Sequence, residues 1–161
     1  MGHHVPIVSD VVGGRPADEI GEQMNLSPNF TLEELTATST GLLNNPDGME
    51  TFQLTALCLE LLQPIRDKWG PLRITSGFRS WPVNSAVGGV NTSQHCFGEA
   101  ADFQPVHTDL DEVFCWIIKD SGLQFGQCIN ESRGGRRWIH ISLPRKGHRN
   151  QEALVYNGHD Y

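Results

Sequence analysis

The stretch SQHCFGEAAD, residues 93–102, combines candidate metal ligands with unusually small side chains. His95 stands near its start and Asp102 at its end, with a glycine and two alanines between them. The two ligands are too far apart for neighbouring positions on one strand face, so the spacing favours a loop carrying the histidine into a strand carrying the aspartate. The small residues allow neighbouring backbones to approach closely. The stretch therefore predicts a ligand-bearing corner where a loop enters a strand.

Apolar periodicity on either side of this corner predicts two amphipathic helices. The stronger helix ends at Gly70-Pro71, and its apolar stripe recurs at helical spacing through Leu54, Leu57, Cys58, Leu61, Leu62 and Ile65. Thr31 and Glu34 have the spacing of a capping box before a shorter helix. Thr108 is the expected cap of the second clear helix, which Gly122 ends.

Short strands are expected at residues 72–75, 100–103, 124–130 and 138–143, with residues 131–137 as the loop between the last two. Because each helix has one apolar face, both should pack on the same sheet, which predicts an α+β domain. We place this domain at residues 30–144, after an extended arm at 1–29 and before a polar C-terminal tail at 145–161 that follows the surface.

Charge and composition exclude several classes of function. The net charge of −7 gives no general attraction to a polyanion, so nucleic acid is not an expected partner. The four cysteines form no C-x-x-C pair and are expected to be free thiols, with Cys58 and Cys115 on apolar helix faces. The start of the chain has no signal-peptide pattern, and no apolar run is long enough to span a bilayer. We expect synthesis in the cytoplasm without stable membrane insertion.

His140 is the third candidate ligand. In the expected strand Trp138-Ile139-His140-Ile141, its side chain points to the face opposite the two isoleucines. A histidine among apolar strand residues needs a polar partner, and taken alone that partner is more often a carbonyl or a buried water than a metal. A catalytic zinc site commonly uses three protein ligands and leaves a fourth position open.

The pattern Ser93-x-His95-x-x-Gly98-x-Ala100-x-Asp102, followed by residues 138–140, resembles the zinc D-Ala-D-Ala carboxypeptidase family of metallopeptidases. The upstream segment ITSGFRS at residues 74–80 also resembles that family, and the resemblance runs from about residue 30 to residue 144. The family includes phage endolysins and shares its fold with the Hedgehog signalling domain. The combined motifs are specific, although each is weak by itself.

The resemblance implies a single zinc ion held by His95, Asp102 and His140, in a Hedgehog/DD-peptidase-like α+β fold with helices on one side of a mainly antiparallel sheet. It also implies hydrolysis of a peptide bond in the stem peptide of bacterial peptidoglycan, with zinc-activated water as the nucleophile. The bond cut could be that of a D,D-carboxypeptidase or of an endopeptidase. The short format is typical of a monomeric phage lytic enzyme, which would reach the wall after membrane permeabilisation or from a virion.

The catalytic base is where this chain departs from the family pattern. Many members carry a carboxylate three residues before the last histidine, but here that position is Arg137, which cannot accept a proton. Glu131 is the best replacement, since a hairpin return could bring it beside His140. Glu99 is a poor alternative, because strand alternation places it on the side away from Asp102.

Other side chains are assigned by analogy with the family. Arg79, in the Ser-Gly-Phe-Arg-Ser segment, is the expected electrophile that stabilises an oxyanion or binds a carboxylate. Ser93, Gln94 and Trp138 are expected to contact substrate. The competing hypothesis is a zinc-binding or structural module of the same fold without catalysis, which the arginine at position 137 favours and the complete ligand set opposes.

Overall fold

The computed structural model describes residues 23–158, which contain five α-helices, a π-helical turn, a 3-10 turn and seven strands. The helices are α1 Leu32–Thr36, α2 Gly48–Leu57, α3 Gln63–Trp69, α4 Trp81–Ala86 and α5 Leu110–Lys119. The strands are β1 Asn25–Ser27, β2 Phe30–Thr31, β3 Leu72–Ser76, β4 Ala100–Pro105, β5 Gln127–Arg133, β6 Arg136–Ser142 and β7 Glu152–Tyr156. The α+β class predicted from the sequence is confirmed.

Helices α2 and α3 form one continuous helix, joined by a π-helical turn at Cys58–Leu62. It begins with a capping box in which Asp47 and Glu50 exchange hydrogen bonds, and it ends at Gly70. The six residues of the predicted stripe are all fully buried. They form the centre of the hydrophobic core together with residues from α5 and from one face of the main sheet.

The main sheet has the strand order β3-β4-β6-β5-β7. Its first four strands are antiparallel, and β7 adds in parallel to β5. Side chains on one face, including Phe103, Ile139 and Ile141, are buried against α2, α3 and α5. Asp102 and His140 point to the opposite face of the sheet. Two grooves open this face to solvent. Helix α4 lies outside the core cluster, contacts the turn that carries His95, and has its C-cap Val87 beside this open face.

The β5–β6 hairpin is longer than the sequence indicated. The segment 131–137 was expected to be a loop, but β5 continues to Arg133 and β6 starts at Arg136. Only Gly134 and Gly135 form the turn, both with positive φ, as a tight two-residue hairpin loop requires. Glu131 therefore lies within a strand, where its direction is fixed by its partner Trp138.

Both ends of the described chain contribute more to the fold than their composition suggested. Leu26 in β1 is packed in the core, so the folded part begins before the expected boundary at residue 30. Strand β7 lies within the segment expected to follow the surface as a tail. Its alternating half-buried and exposed pattern fits an edge strand, which needs few apolar residues. Within residues 23–158, no helix combines the length and apolar character needed to cross a membrane.

The cap of α5 is Asp109 rather than the predicted Thr108. The Asp109 carboxylate accepts hydrogen bonds from the backbone N–H groups of Asp111 and Glu112, whereas the Thr108 hydroxyl lies 3.5 Å from the carbonyl oxygen of Trp69. All four cysteines are free, as expected, but Cys115 on α5 is exposed rather than on the buried helix face.

We expect Asp109→Ala to lower the free energy of unfolding by about 1 kcal/mol, because two backbone donors at the start of α5 lose their acceptor. Thr108→Ala serves as the matched control and should change it by less than about half that amount. Urea unfolding followed by circular dichroism measures both. Equal losses in the two variants would contradict the assignment of the cap.

Candidate metal centre

Three separate elements bring the predicted ligands to one point on the open face of the sheet. His95 lies in a 3-10 turn at Gln94–Phe97, Asp102 in β4 and His140 in β6. Asp102 and His140 are direct cross-strand partners. All three side chains are buried, and their ligand atoms lie within 4.8 Å of one another. Within residues 23–158, this is the group of three that has metal-ligand geometry.

The two imidazole rings converge on one carboxylate oxygen. Asp102 Oδ1 lies 3.2 Å from His95 Nε2 and 2.9 Å from His140 Nδ1. The two rings are 5.1 Å apart between centroids. Two nitrogens and one carboxylate oxygen, arranged around a single point, match the donor set of a catalytic zinc site, with a coordination position left for a further ligand.

The tautomer of His95 is fixed by a backbone carbonyl. His95 Nδ1 lies 2.7 Å from the carbonyl oxygen of Gly77 and donates its proton to it. Since neutral imidazole carries one proton, Nε2 is left with a free lone pair that faces Asp102. Such a hydrogen bond on the far side of the ring is the usual way in which a metal-binding histidine is oriented.

Gly77 can hold that carbonyl in place only because it has no side chain. A Cβ at this position would lie 2.2 Å from the carbonyl oxygen of Leu35 in α1. The next residue, Phe78, donates its backbone N–H to that same oxygen at 2.7 Å. The path of the chain past α1 and the orientation of His95 therefore depend on the same glycine.

We expect Gly77→Ala to weaken zinc binding by about 10- to 100-fold, because the displaced carbonyl no longer orients His95. Gly48→Ala is the control, since a Cβ there meets nothing within 4 Å and an alanine suits a helix. Competition with a fluorescent zinc chelator measures both affinities. An unchanged affinity in Gly77→Ala would show that this carbonyl is dispensable.

A second glycine, Gly98, lies between His95 and Asp102 in the sequence and is required by the backbone there. Gly98 ends the 3-10 turn with φ +70°, a conformation that side chains rarely adopt. A Cβ there would also lie 2.4 Å from the carbonyl oxygen of Glu50. Gly98 thus lets the chain turn sharply from the loop of His95 into the strand of Asp102.

The protonation states of Asp102 and His95 suit a metal cation. Burial acts to raise the pKa of Asp102, but the adjacent imidazoles of His95 and His140 outweigh it and hold that pKa well below its usual range. Burial lowers the pKa of His95, so its ring is neutral at pH 7. An ionised carboxylate and a neutral imidazole are the forms that bind metals.

Arg79 joins the centre through its charge and through its backbone. Its Nη2 lies 3.1 Å from Asp102 Oδ2, the oxygen not shared by the histidines, and its Nε donates to Ser76 Oγ at 2.9 Å. Its backbone N–H donates to the carbonyl of His95 at 3.1 Å. The structure therefore brings Arg79 beside the ligand set, with its side chain still 17% exposed.

Glu131 shares the open face of the sheet with the ligands. Its register partner is Trp138, and Ile129, two residues earlier in the same strand, is the partner of His140. Glu131 is thus diagonal to His140, at a Cα separation of roughly 7–8 Å. Burial, followed by the negative charge of Asp102, raises the pKa of this half-buried carboxyl.

Arg137, at the position where many relatives have the base, points away from the metal centre. It stands three residues before His140 in a strand, so its side chain is on the opposite face. There it pairs with Asp111 of α5 at 2.5 Å and contacts Asn130 Oδ1 at 3.2 Å. The arginine therefore has a role in attaching helix α5 to the hairpin.

The residues expected to contact substrate divide into two groups. Ser93 and Gln94 line a groove on one side of His140, whereas Trp138 lines a second groove on the other side. Gln94 also donates to Glu99 Oε2 and to the carbonyl of Leu143, both at 3.2 Å, so it anchors the ligand loop. Glu99 is further paired with Arg145. Its partners support the expectation that Glu99 is a poor base.

Comparison with known proteins agrees with this geometry. A profile of the Peptidase M15 family matches residues 28–142. The chain belongs to the Peptidase M15 family. A curated relative, the zinc D-Ala-D-Ala carboxypeptidase of Streptomyces albus G, is 36% identical over 77 residues, which cover 46% of this chain and 30% of the relative. The chain thus matches less than a third of that protein's length.

Family membership confirms the resemblance inferred from residues 93–102. Zinc is the cofactor, and the ligand group of His95, Asp102 and His140 fits it in number and atom type. Sequence reasoning missed two partners of the centre, the carbonyl of Gly77 and the hydroxyl of Ser76.

Proposed function

We propose that this protein hydrolyses a peptide bond in bacterial peptidoglycan, using one zinc ion held by His95, Asp102 and His140. The observation that carries the proposal is the convergence of His95 Nε2 and His140 Nδ1 on one oxygen of Asp102, with the His95 tautomer fixed by Gly77. The centre lies on an open sheet face with a groove on either side, which suits an extended chain better than a small enclosed molecule.

Zinc, when bound, acts as a Lewis acid that polarises the scissile carbonyl and increases the acidity of water. Glu131 supplies the proton transfer: its carboxylate accepts the proton of the attacking water and delivers it to the leaving amine. Its raised pKa favours this role, because a carboxylate in partly buried surroundings is a stronger base than one in bulk water.

Arg79 supplies positive charge beside the reacting carbonyl. One of its guanidinium nitrogens is engaged with Asp102 Oδ2, and the bond from Nε to Ser76 holds the group in one orientation. A guanidinium fixed in this way stabilises negative charge that develops on a substrate oxygen, or pairs with a substrate carboxylate.

The finer assignments rest on likeness to the relative. Its name describes a D-Ala-D-Ala carboxypeptidase, which supports removal of a terminal D-Ala from the stem peptide, with endopeptidase cleavage as the other form of the reaction. We also propose that the fold is of the Hedgehog/DD-peptidase type, that the protein is monomeric, and that it acts on the wall as a phage lytic enzyme released from the cytoplasm or carried by a virion.

The second candidate function is a zinc-binding module without catalysis. Arg137 at the usual base position favours it, whereas a half-buried carboxylate on the neighbouring strand opposes it. A module of this kind would bind zinc and peptidoglycan and release no product.

The test is digestion of purified peptidoglycan and of a synthetic peptide ending in D-Ala-D-Ala, with mass spectrometry of the products. Free D-Ala from the peptide would establish carboxypeptidase activity. New amino termini within the wall, without free D-Ala, would establish endopeptidase activity. Zinc-loaded protein that binds the wall and releases neither product would support the non-catalytic module instead.

A further inference from the structure

The groove on the Trp138 side of the metal centre has a charge that contrasts with the rest of the protein. The chain carries a net charge of −7, yet the charged residues lining this groove of about 790 Å³ are all arginines: Arg73, Arg79, Arg133 and Arg136. No described carboxylate lines it. Of the carboxylates on this face, Asp102 is already paired with Arg79, and Glu131 lies on the neighbouring strand.

The hairpin arginines are unpaired within the described chain. The guanidinium groups of Arg133 and Arg136 form no hydrogen bond or ion pair with any other of residues 23–158, although both belong to the hairpin that carries Trp138. Arg73 has only a neutral partner, Gln104. Positive charges held together in this way repel one another. They attract an anion, because a negative group placed between them offsets that repulsion.

Trp138, which lines the same groove, carries an unpartnered donor. The indole Nε1 of Trp138 is buried and has no hydrogen-bond acceptor among the described residues. Buried N–H groups are normally paired, and indole nitrogen is a donor only. A group that accepts hydrogen bonds and carries negative charge would pair with the arginines that line this groove beside Trp138.

The groove on the other side of His140 lacks this excess charge. Its Arg145 is paired with Glu99, and its Arg149 lies 3.8 Å from Glu152. Positive charge is therefore uncompensated on one side of the centre only. A substrate with an anionic group gains more by placing that group on the Trp138 side.

Strand geometry sets how far this group is from the bond that is cut. Trp138 is two residues from His140 in β6 and Arg136 is four, which corresponds to about 7 and 13 Å along the strand. An extended peptide has the same rise per residue. Trp138 and Arg136 would therefore meet groups of a bound peptide that are about two to four residues away from the metal.

Resting on the proposed function, we propose that the groove formed by Arg73, Arg133, Arg136 and Trp138 binds a carboxylate of the stem peptide and so selects acidic over amidated peptides. Two sources of this carboxylate share the chemistry: the free C-terminus and the α-carboxylate of an internal D-isoglutamate. Arginine suits both, because its planar group pairs with both carboxylate oxygens at once.

The indole N–H signal of Trp138 in a nitrogen–proton NMR spectrum, assigned with Trp138→Phe, reports on the groove directly. Zinc-loaded protein is titrated with the N-acetylated tetrapeptide L-Ala-D-isoglutamyl-L-Lys-D-Ala, with the same peptide amidated at the C-terminus, and with a D-isoglutamine version. One of the two amidated peptides should bind about tenfold more weakly, and it identifies the carboxylate that the groove binds. The peptide amidated at the other carboxylate should bind about as well as the acidic peptide.

Arg137→Gln provides the matched control for Arg133→Gln/Arg136→Gln, since Arg137 belongs to the same hairpin but points to the opposite face. The double variant should lose the preference for the acidic peptide, whereas Arg137→Gln should keep it. Equal binding of acidic and amidated peptides to wild type, or an equal loss in the control, would overturn the proposal. A separate sample of each protein with a peptide ending in D-Ala-D-Ala reports cleavage, so failure of hydrolysis is seen separately from failure of the groove.

Discussion

Asp102→Asn should lower zinc affinity on the order of 10³-fold and abolish measurable hydrolysis, because it removes the anionic ligand and leaves the shape of the side chain intact. One oxygen of Asp102 lies within 3.2 Å of both ligand histidines, and the other is paired with Arg79. With the charge removed, the arginine remains beside the site without its partner and repels a cation. Zinc content by elemental mass spectrometry and affinity by chelator competition measure the effect.

Asp111→Asn is the control for this substitution. Asp111 is also paired with an arginine, but it lies on α5 at the opposite face of the sheet. The Asp111→Asn variant should keep the zinc affinity and the activity of the wild type. Full zinc occupancy in Asp102→Asn at micromolar free zinc would remove Asp102 from the ligand set.

Glu131→Gln should lower kcat by about 10²- to 10⁴-fold with zinc content unchanged, since the amide keeps the size of the side chain but cannot accept the proton of water. KM should change little, because Glu131 acts on the reaction and not on the binding of the peptide. Initial rates of amine release from a peptide ending in D-Ala-D-Ala, together with zinc analysis of the same preparation, measure both quantities.

Glu99→Gln tests whether any nearby carboxylate can replace Glu131. Glu99 stands three residues before Asp102 in the sequence, but it is paired with Arg145 and hydrogen-bonded to Gln94. Its variant should retain kcat within a few-fold of wild type. A large loss in Glu99→Gln with activity retained in Glu131→Gln would exchange the two assignments.

The helices of the core were predictable because their signal is local. The stripe from Leu54 to Ile65 has a single period, and every member of it is buried. The hairpin was predicted less well, because near its turn it is polar on both faces: Glu131 and Arg133 share the face of His140, and Asn130 and Ser132 share the face of Arg137. The sequence NESR at residues 130–133 therefore has the composition of a loop although it continues β5. Strand β7 was missed for a similar reason, since an edge strand needs little apolar surface.

The ligand set was found through the resemblance, which combined residues 93–102 with His140 across a long separation in sequence. The position of Arg137 could have been deduced from strand parity alone, because a residue three before His140 must face the other way. The hydrogen bond from His95 to Gly77 could not have been deduced, because it depends on a tertiary approach between the turn and the end of β3.

The most direct test of the central claim is the hydrolysis of purified peptidoglycan by protein that has been stripped of metal by a chelator and then reloaded with zinc. We expect no release of amines from the metal-free protein, and recovery of activity that is complete at one equivalent of zinc per chain. Undiminished hydrolysis by metal-free protein, or no hydrolysis by protein that holds its full equivalent of zinc, would contradict it.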